Sequence, residues 1–457
     1  MAGPGPASRL AERARASPYY PALSHPVLRR VLPGAALSAL GDGMSAVAIA
    51  WLAIRLAPVS SRGLWVGAAV AAYSLPGAAG AVLLRRWLRG RGGAGLVLVN
   101  AVLRAAALGL IGCLAIAHLL DPAGYVGLLG VSSLLSAWGV AGKYTLIADL
   151  LPAEQRVAGN TVFGLADQLS LMIGPALAGV VTALAGPAIV IAADAASWVV
   201  LAISYARIAP LAAARPTHLL ESEPPRASPA LAPDPAPSDP APSDPAAVPS
   251  AAAEPEPSGW AVIRSSPVLP GLLALSFVFY LLYGPIEVAL PVHVASDLHG
   301  SAALLGTFWA VFGVGAVIGE LSAPFLRRLP VWPTMTAIVI GWGLALAPLG
   351  LRTPLWTALA AFFVAAVIWG PWMSLSMAVL QEASPPGVLA QVIAARSSLL
   401  ILASPLGTAL GGPIVAGLGA RRTLLTSAVA TVALGLITTA VLLARRAKKA
   451  ALPHPHR

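Results

Sequence analysis

The chain has 457 residues, of which 58% are hydrophobic and 10% charged, with a mean hydropathy of +0.80 and a net charge of +11. Soluble domains contain about 25% charged residues, so this composition leaves too little polar surface for a soluble enzyme and excludes a fibrous or wholly disordered chain. A polytopic membrane protein remains, because about 20 apolar residues cross a bilayer as a helix.

Twelve apolar segments are long enough to cross a membrane, and we number them span 1 to span 12. The first six lie at 34–56, 63–84, 94–117, 124–147, 160–184 and 188–209. The last six lie at 268–295, 302–325, 333–351, 354–380, 389–417 and 423–444. Spans 4 and 10 carry polar or bulky interruptions, so their ends are the least sharply marked. The pattern predicts an all-α membrane protein with 12 transmembrane helices.

The two halves of the chain resemble each other weakly. A shift of 233 residues places Gly174 on Gly407 and Gly186 on Gly419, which lie at equivalent points of spans 5 and 11. Parallel repeats of six spans are a common plan among transporters. We therefore expect two pseudo-symmetric six-helix bundles.

The bundles are separated and flanked by polar segments. We expect a basic cytoplasmic tail at 1–33, bundles at 34–209 and 267–444, and a second basic tail at 445–457. The segment 210–266 is rich in Pro, Ala and Ser and contains the sequence APSDP twice in tandem. Such a composition cannot bury a core, so it predicts a disordered cytoplasmic linker. A segment that docks a partner is the alternative.

The basic residues are sorted by side of the membrane. Of 29 Lys and Arg, 21 fall in the tails, the linker and the connections on one side, and five fall in the connections on the other. Cytoplasmic loops carry the excess of Lys and Arg, so both termini are predicted to be cytoplasmic and the chain is predicted to be a multi-pass protein of the cell membrane. Topology thus accounts for the net charge of +11, and no nucleic-acid partner is expected.

Short motifs in both halves carry a resemblance to a known family. They are LGDGM at 40–44, VAIAWL at 47–52, DLLPAEQR at 149–156, GPALAG at 174–179 and PLG at 405–407. These motifs resemble the major facilitator superfamily of transporters, in the branch of enterobactin-exporter-like and macrolide-efflux permeases. The resemblance covers nearly the whole chain apart from the tails and the linker. It implies the major facilitator fold, with two bundles that rock to expose a central site alternately.

The resemblance also indicates where a gate would lie. The superfamily usually places an Asp-Arg pair after span 2, whereas this chain has Leu84 followed by Arg85 and Arg86. A latch on the cytoplasmic side must therefore differ here. In the second half, Glu320 is expected near the cytoplasmic end of span 8, paired with Arg327 or Arg328. Helix breaks and close contacts that could flex are expected at four positions: Gly174, Pro175, Pro405 and Gly407.

Ionisable residues inside spans are costly and usually face a cavity or a partner. Asp42 shares a helical face with Ser38 and Ser45, which predicts a proton site, with a packing carboxylate as the alternative. Arg104 in span 3 should pair with Asp42 or with Asp167, and contact with a substrate anion is its alternative role.

Further candidates lie in spans 5 to 7. Asp167 is a proton-coupling candidate that is expected to line the cavity as a proton or substrate site, and its neighbour Gln168 is a substrate-cavity candidate. Asp194 in span 6 is expected to have a structural role. Glu287 in span 7 is a further proton-coupling candidate, although Pro291 and His293 make a position close to the outer interface an alternative.

Aromatic and Met side chains could supply an adaptable surface for amphipathic cargo, and membrane-interface belts or core packing are the alternative. The substrate-cavity candidates of this kind are Tyr73, Tyr280, Tyr283, Trp369, Trp372 and Met373.

These features predict a secondary active transporter and not an enzyme. No nucleophile–base pair, phosphate-binding loop or set of metal ligands is evident, and the single cysteine, Cys113, forms no disulfide framework. The predicted function is proton-coupled efflux of a small amphipathic molecule, such as a drug, siderophore or secondary metabolite, by a monomer in the lipid bilayer. No cofactor is expected, because the proton gradient supplies the energy. The alternatives are a proton symporter or lipid flippase of the same fold, and a non-transporting receptor or scaffold.

Overall fold

A computed structural model describes residues 20–88, 91–213, 259–326, 328–384 and 388–451. Within these ranges the chain folds into helices and contains no strand. Twelve of the helical spans are long and apolar enough to cross a membrane. The prediction of an all-α membrane protein with 12 transmembrane helices is therefore confirmed.

The first half contributes six spans. Their helices are Pro26–Leu56 (span 1), Arg62–Leu83 (span 2), Gly93–Ile116 (span 3), Pro122–Ser133 with Ser136–Leu150 (span 4), Ala153–Ala185 (span 5) and Pro187–Ala213 (span 6). Short helices lie at Tyr20–Ser24, Val59–Ser61 and Arg85–Leu88. Span 1 begins inside the predicted tail, because the His25 side chain accepts a hydrogen bond from the Val27 amide and caps the helix.

The second half repeats this order. Its helices are Leu269–Val292 (span 7), Ala302–Leu326 (span 8), Val331–Gly350 (span 9), Leu355–Trp369 with Trp372–Glu382 (span 10), Leu389–Leu400 with Ala403–Leu418 (span 11) and Ala420–Ala451 (span 12). A π-helical turn, His293–Asp297, continues span 7, and a short helix occupies Gly259–Ser265. Helices thus reach into both ends of the predicted linker, and the rest of it, 214–258, lies outside the described residues.

Three spans consist of two helices placed end to end. Span 10 is interrupted at Gly370 and Pro371, where the proline has no amide hydrogen to continue the ladder of hydrogen bonds. Span 4 is interrupted at 134–135 and span 11 at 401–402. Spans 4 and 10 are also the two spans in which the sequence shows polar or bulky interruptions.

Helix packing follows the same plan in both halves. Span 1 packs on spans 5 and 6, and span 7 packs on spans 11 and 12 in the same way; span 3 packs on span 6, as span 9 does on span 12. Between the halves, span 5 packs on span 8 and span 11 on span 2. Gly186 and Gly419 close spans 5 and 11 with φ of 86° and 81°, a region open to glycine alone. The shift of 233 residues therefore joins positions of equal conformation.

The two ends of the bundle can be told apart. Because the chain crosses an even number of times, the start of span 1, the end of span 12 and the ends of the linker lie at one end, which we call the terminal face. The opposite end, where span 1 connects to span 2, we call the distal face.

Candidate functional site

A charged cluster lies in the middle of the first half. Arg104 of span 3 pairs with Asp42 of span 1, with 3.2 Å between Nη2 and Oδ1 and 3.4 Å between Nη1 and Oδ2. The Tyr73 hydroxyl donates to Oδ1 of Asp42 at 2.6 Å. The sequence left Asp42 and Asp167 as possible partners of Arg104, and in the structure the partner is Asp42. Tyr73 joins the cluster as a hydrogen-bond donor to this carboxylate.

Two aromatic rings enclose the guanidinium of Arg104. Its Cζ lies 4.8 Å from the ring centre of Tyr73 and 4.5 Å from that of Trp198 in span 6. Contact with a ring face stabilises a cation, and more so where water is excluded. With 7% of its surface exposed, Arg104 is held in place by one carboxylate and two rings.

Asp194 lies deeper in the same half. Its carboxylate accepts hydrogen bonds from Ser45 at 2.5 Å and from Ser197 at 3.3 Å, and only 1% of the residue is exposed. These bonds tie span 6 to span 1. The contacts are those of the structural role expected from the sequence.

A cavity of about 370 Å³ opens beside this cluster and is lined by spans 1, 3, 4, 5 and 6 alone. Asp42 and Arg104 line it, as do Asp167 of span 5 and Lys143 of span 4. The Lys143 Nζ lies 2.8 Å from Oδ2 of Asp167, in a pair that sequence reasoning missed because Lys143 lies close to an uncertain span end. Gln168, expected beside Asp167, is exposed and does not line this cavity.

The carboxylate of the second half has a different environment. Glu287 of span 7 accepts hydrogen bonds from the hydroxyls of Thr408 at 2.9 Å and Ser404 at 3.2 Å, both in span 11. Among the described residues it has no ion-pair partner. Glu287 therefore contacts span 11, and its role in proton coupling stays a prediction.

Aromatic side chains form one connected cluster around the inner faces of spans 7 to 10. Neighbouring rings have their centres 4.9 to 6.5 Å apart, and the members are Phe279, Tyr280, Tyr283, Phe308, Trp309, Phe312, Trp342, Phe362, Trp369 and Trp372. Tyr280 donates to the sulfur of Met373 at 3.4 Å, and Met373 is 47% exposed.

One predicted member of the substrate cavity must be corrected. Trp372 is fully buried, with its ring 4.9 Å from that of Phe279. The interruption of span 10 separates Trp372 from Trp369, so the continuous helix face assumed from the sequence does not exist. Trp372 belongs to the core of the second half.

At the predicted gate, Glu320 has a different partner from the basic residues that were expected. Glu320 accepts a hydrogen bond from the Ser374 hydroxyl of span 10, and it forms no ion pair with Arg328 in the described part of the chain. Arg327 lies outside the described residues. Arg85 and Arg86 are exposed on the short helix that follows span 2.

Close contacts are present at Gly174 and Gly407, as predicted, but the helices continue through these positions. Pro175 lies within the unbroken helix of span 5, and Pro405 lies in the first turn of the second helix of span 11. A Cβ on Gly174 would lie 2.5 Å from the carbonyl carbon of Gly43, and the backbone of Gly407 is packed as closely on span 7. Neighbouring helices support proline-containing helices in membranes, which is why the chain continues here.

The halves approach each other closely at two glycine pairs. A Cβ on Gly67 would lie 2.5 Å from the Cα of Gly412, and a Cβ on Gly179 would lie 2.8 Å from the Cα of Gly306. These pairs join span 2 to span 11 and span 5 to span 8, near the distal ends of all four helices. Arg62 adds a hydrogen bond to Ser296 at 3.4 Å. We call this set of contacts the distal seam.

Comparison with known proteins gives a consistent result. A family model described as Major Facilitator Superfamily matches residues 31–407. The multidrug efflux pump Tap of Mycobacterium tuberculosis is 24% identical over 410 residues, which cover 88% of this chain and 90% of that protein. The Tap protein of Mycolicibacterium fortuitum is 27% identical over 180 residues, covering 39% of this chain and 44% of that protein.

Solved structures with the same fold are more distant in sequence. A bacterial homologue of the lysosomal transporter Spinster, in an inward-facing and unoccupied conformation, superposes with a TM-score of 0.62 at 14% identity and covers 91% of this chain and 96% of its own. A bacterial homologue of the iron transporter ferroportin, in an inward-facing state, has a TM-score of 0.61 at 14% identity, covering 90% and 98%.

Proposed function

The chain belongs to the Major Facilitator Superfamily and is a multi-pass membrane transporter, and we propose that it exports small amphipathic molecules in exchange for protons. The observation that carries this proposal is the pair formed by the buried Arg104 and the partly exposed Asp42 at the wall of an open cavity. Ionisable residues inside a membrane are costly, and where they line a cavity they mark substrate, ion or proton pathways. The relatives named multidrug efflux pumps support export as the direction.

The sorted basic residues support a cytoplasmic terminal face, and the distal seam would then close the external side. The proposed cycle starts with Asp42 ionised and holding Arg104 while cargo enters from the cytoplasm. After the halves rock, a proton from outside neutralises Asp42 and releases Arg104, and the cargo leaves. Return of the proton to the cytoplasm restores the pair. The Lys143–Asp167 pair, which lies on the same cavity, is the second place where a proton can exchange.

The second half supplies the larger contact surface for cargo. The partly exposed rings of the cluster offer flat apolar surface, and they are Tyr280, Tyr283, Trp309, Phe312 and Trp369. Met373 adds a flexible apolar side chain, and Glu287 adds a carboxylate that has no ion-pair partner among the described residues. Aromatic rings together with a few polar groups are typical of small-molecule sites. We therefore assign the cargo to the space between the halves, in a transporter that acts as a monomer in the cell membrane.

The test is dye export from vesicles that contain the purified protein. With an imposed proton gradient, Asp42→Asn should abolish gradient-driven transport of ethidium, and Asp167→Asn should reduce it. Asp121→Asn is the matched control, because Asp121 caps a helix outside the cavity and Asn caps equally well. Gradient-driven transport that persists in both cavity variants would refute proton coupling through these carboxylates.

The same vesicles distinguish the alternative functions. Dye that moves together with protons would indicate a symporter. Movement of a fluorescent phospholipid between leaflets, without dye transport, would indicate a flippase. Neither movement under any gradient would favour a receptor or scaffold.

A further inference from the structure

We propose that Arg396 of span 11 is a recognition site for an anionic group of the cargo, a carboxylate or a similar oxyanion carried on a flat apolar body. The inference rests on the proposed function and deepens it, because it names one charge class among the exported molecules. Arg396 belongs to the second half and takes no part in the proton path described above.

Arg396 is a buried cation, and the described part of the chain gives it no acidic partner. Only 6% of the residue is exposed, and no ion pair joins it to a carboxylate. By contrast, Arg104 and Lys143 of the first half each pair with an aspartate. Glu287 and Glu320 of the second half are held by hydroxyl groups instead. A charged side chain inside a span usually pairs with another one or marks a substrate pathway.

The contacts that Arg396 does make are weak. Its Nη2 lies 3.8 Å from the sulfur of Met373 and 3.4 Å from the hydroxyl oxygen of Ser376, both in span 10. The Tyr280 hydroxyl of span 7 donates to the same sulfur at 3.4 Å. A thioether is a weak acceptor, so two donors, one of them charged, meet at an atom that satisfies neither. An oxyanion beside this sulfur would accept hydrogen bonds from both.

The guanidinium of Arg396 can be reached by a ligand although the residue is largely buried. Its Nε and Nη1 form no hydrogen bond with the described residues. Nε of Arg104 is an unpartnered nitrogen without access to the surface, whereas no nitrogen of Arg396 is in that state. The exposed fraction of Arg396 therefore includes its unpartnered nitrogens. Met373 beside them is 47% exposed, which leaves an approach for the ligand.

The side chain of Arg396 points into the membrane and not towards its surface. Span 11 starts at the terminal face, and Arg396 follows Leu389, the first residue of its helix, by about 10 Å along the axis. Span 10 runs in the opposite direction, so Met373 lies at the deep end of the helix Trp372–Glu382. A basic side chain that only anchors a helix extends towards the head groups. The contact with Met373 has the opposite direction, which a ligand inside the bundle explains.

These contacts define the ligand chemistry. A guanidinium binds a carboxylate through two parallel N–H donors, in a geometry that other cations do not offer. Tyr280 belongs to the ring cluster, with its ring centre 6.1 Å from that of Phe279. An aromatic body attached to the carboxylate would lie against Tyr280 and the flexible side chain of Met373. An ammonium group would be repelled by Arg396 and would find only the same weak acceptors.

The experiment measures binding of 2-naphthoate to the full-length protein in phosphatidylcholine nanodiscs by calorimetry, with no proton gradient. Titration of empty nanodiscs corrects for partition into the lipid. 2-Naphthamide has the same ring and shape without the charge, and should bind at least about tenfold more weakly. The cation 2-naphthylmethylamine should bind more weakly still. These comparisons need only the wild-type protein, so they do not depend on the folding of a variant.

Variants then locate the site. Arg396→Gln should weaken 2-naphthoate binding at least about tenfold and remove the preference for 2-naphthoate over 2-naphthamide. Arg396→Lys keeps the charge but loses the parallel donors, so its affinity should be intermediate. Tyr280→Phe keeps the ring and should weaken binding about fivefold. Arg352→Gln is the matched control, because Arg352 is an exposed arginine between spans 9 and 10 at the distal face.

A phospholipid head group shares the chemistry of the proposed ligand, and a change of lipid distinguishes the two. The binding of 2-naphthoate is repeated in nanodiscs that contain phosphatidylglycerol, at high salt, which screens the surface charge of the lipid. Unchanged affinity supports a cargo site. Loss of 2-naphthoate binding in these nanodiscs would assign Arg396 to a lipid phosphate and overturn the proposal.

Three other results would also overturn it. They are absence of 2-naphthoate binding to the wild-type protein, equal binding of 2-naphthoate and 2-naphthamide, and 2-naphthoate binding that Arg396→Gln leaves unchanged. Failure of the proposed function is detected separately. The vesicle assay follows ethidium, which is a cation, and depends on Asp42 and a gradient, whereas this binding measurement uses none of these.

Discussion

Replacement of Asp42 should lower the unfolding free energy more than replacement of Arg104, although the two residues form one pair. The Arg104 side chain is 8% exposed, and that of Asp42 is 36% exposed towards the cavity. In Asp42→Asn, a buried guanidinium loses its counter-charge, which costs about 3–5 kcal/mol of unfolding free energy. In Arg104→Met, the carboxylate keeps the Tyr73 donor at 2.6 Å and contact with the cavity. The expected cost there is about 1.5–3 kcal/mol, that of a hydrogen bond to a charged group.

The double variant completes the comparison. With both charges removed, no buried group is left unpaired, so the combined loss should be smaller than the sum of the single losses by about 1–3 kcal/mol. Equilibrium unfolding by urea in dodecyl maltoside micelles measures all four proteins. Additive losses, or a larger loss for Arg104→Met than for Asp42→Asn, would refute the reasoning from burial.

Two further predictions concern other contacts. Gly67→Ala places a methyl group 2.5 Å from the backbone of span 11, which should disfavour the closed distal face by about 1–3 kcal/mol, or 5- to 150-fold in population. Spin-label distances between the halves, measured after replacement of Cys113 by alanine, should lengthen, whereas Gly417→Ala, whose Cβ meets no atom within 4 Å, should leave them unchanged. Thr408→Val removes one of the two donors to Glu287 and should lower the unfolding free energy by about 1.5–3 kcal/mol; an unchanged urea midpoint would show that this hydrogen bond does not contribute.

Much of the architecture was predictable because membrane insertion imposes strong rules on sequence. Length and hydropathy alone predicted the 12 spans, because a segment that crosses a membrane must form a helix in order to pair the hydrogen-bonding groups of its own backbone. The pairing of Arg104 was predictable for the same reason, because an isolated cation inside a span is too costly. Repeated glycines at a spacing of 233 residues predicted that spans 5 and 11 are equivalent.

The remaining misassignments arise from contacts between helices that no periodicity encodes. Glu320 was expected to meet a basic residue near its own helix end, yet Ser374 of another span is its partner. Gly174 and Pro175 suggest a break when the helix is considered alone, but the close packing of Gly43 supports a continuous helix. Trp198 gave no signal in the sequence, because its contact with Arg104 joins spans 6 and 3 and depends on the packing of the helices.

The distal seam has a consequence for the conditions in which such a protein can work. Its two crossings are made by bare backbone at Gly67, Gly412, Gly179 and Gly306, and the described residues place no ion pair between these glycines. Van der Waals contact between main chains does not change with ionic strength or acidity, unlike a latch of opposite charges. The closure of the distal face should therefore depend little on ionic strength or acidity at these two crossings, and the surroundings would act on the seam mainly through the polar contact of Arg62 with Ser296.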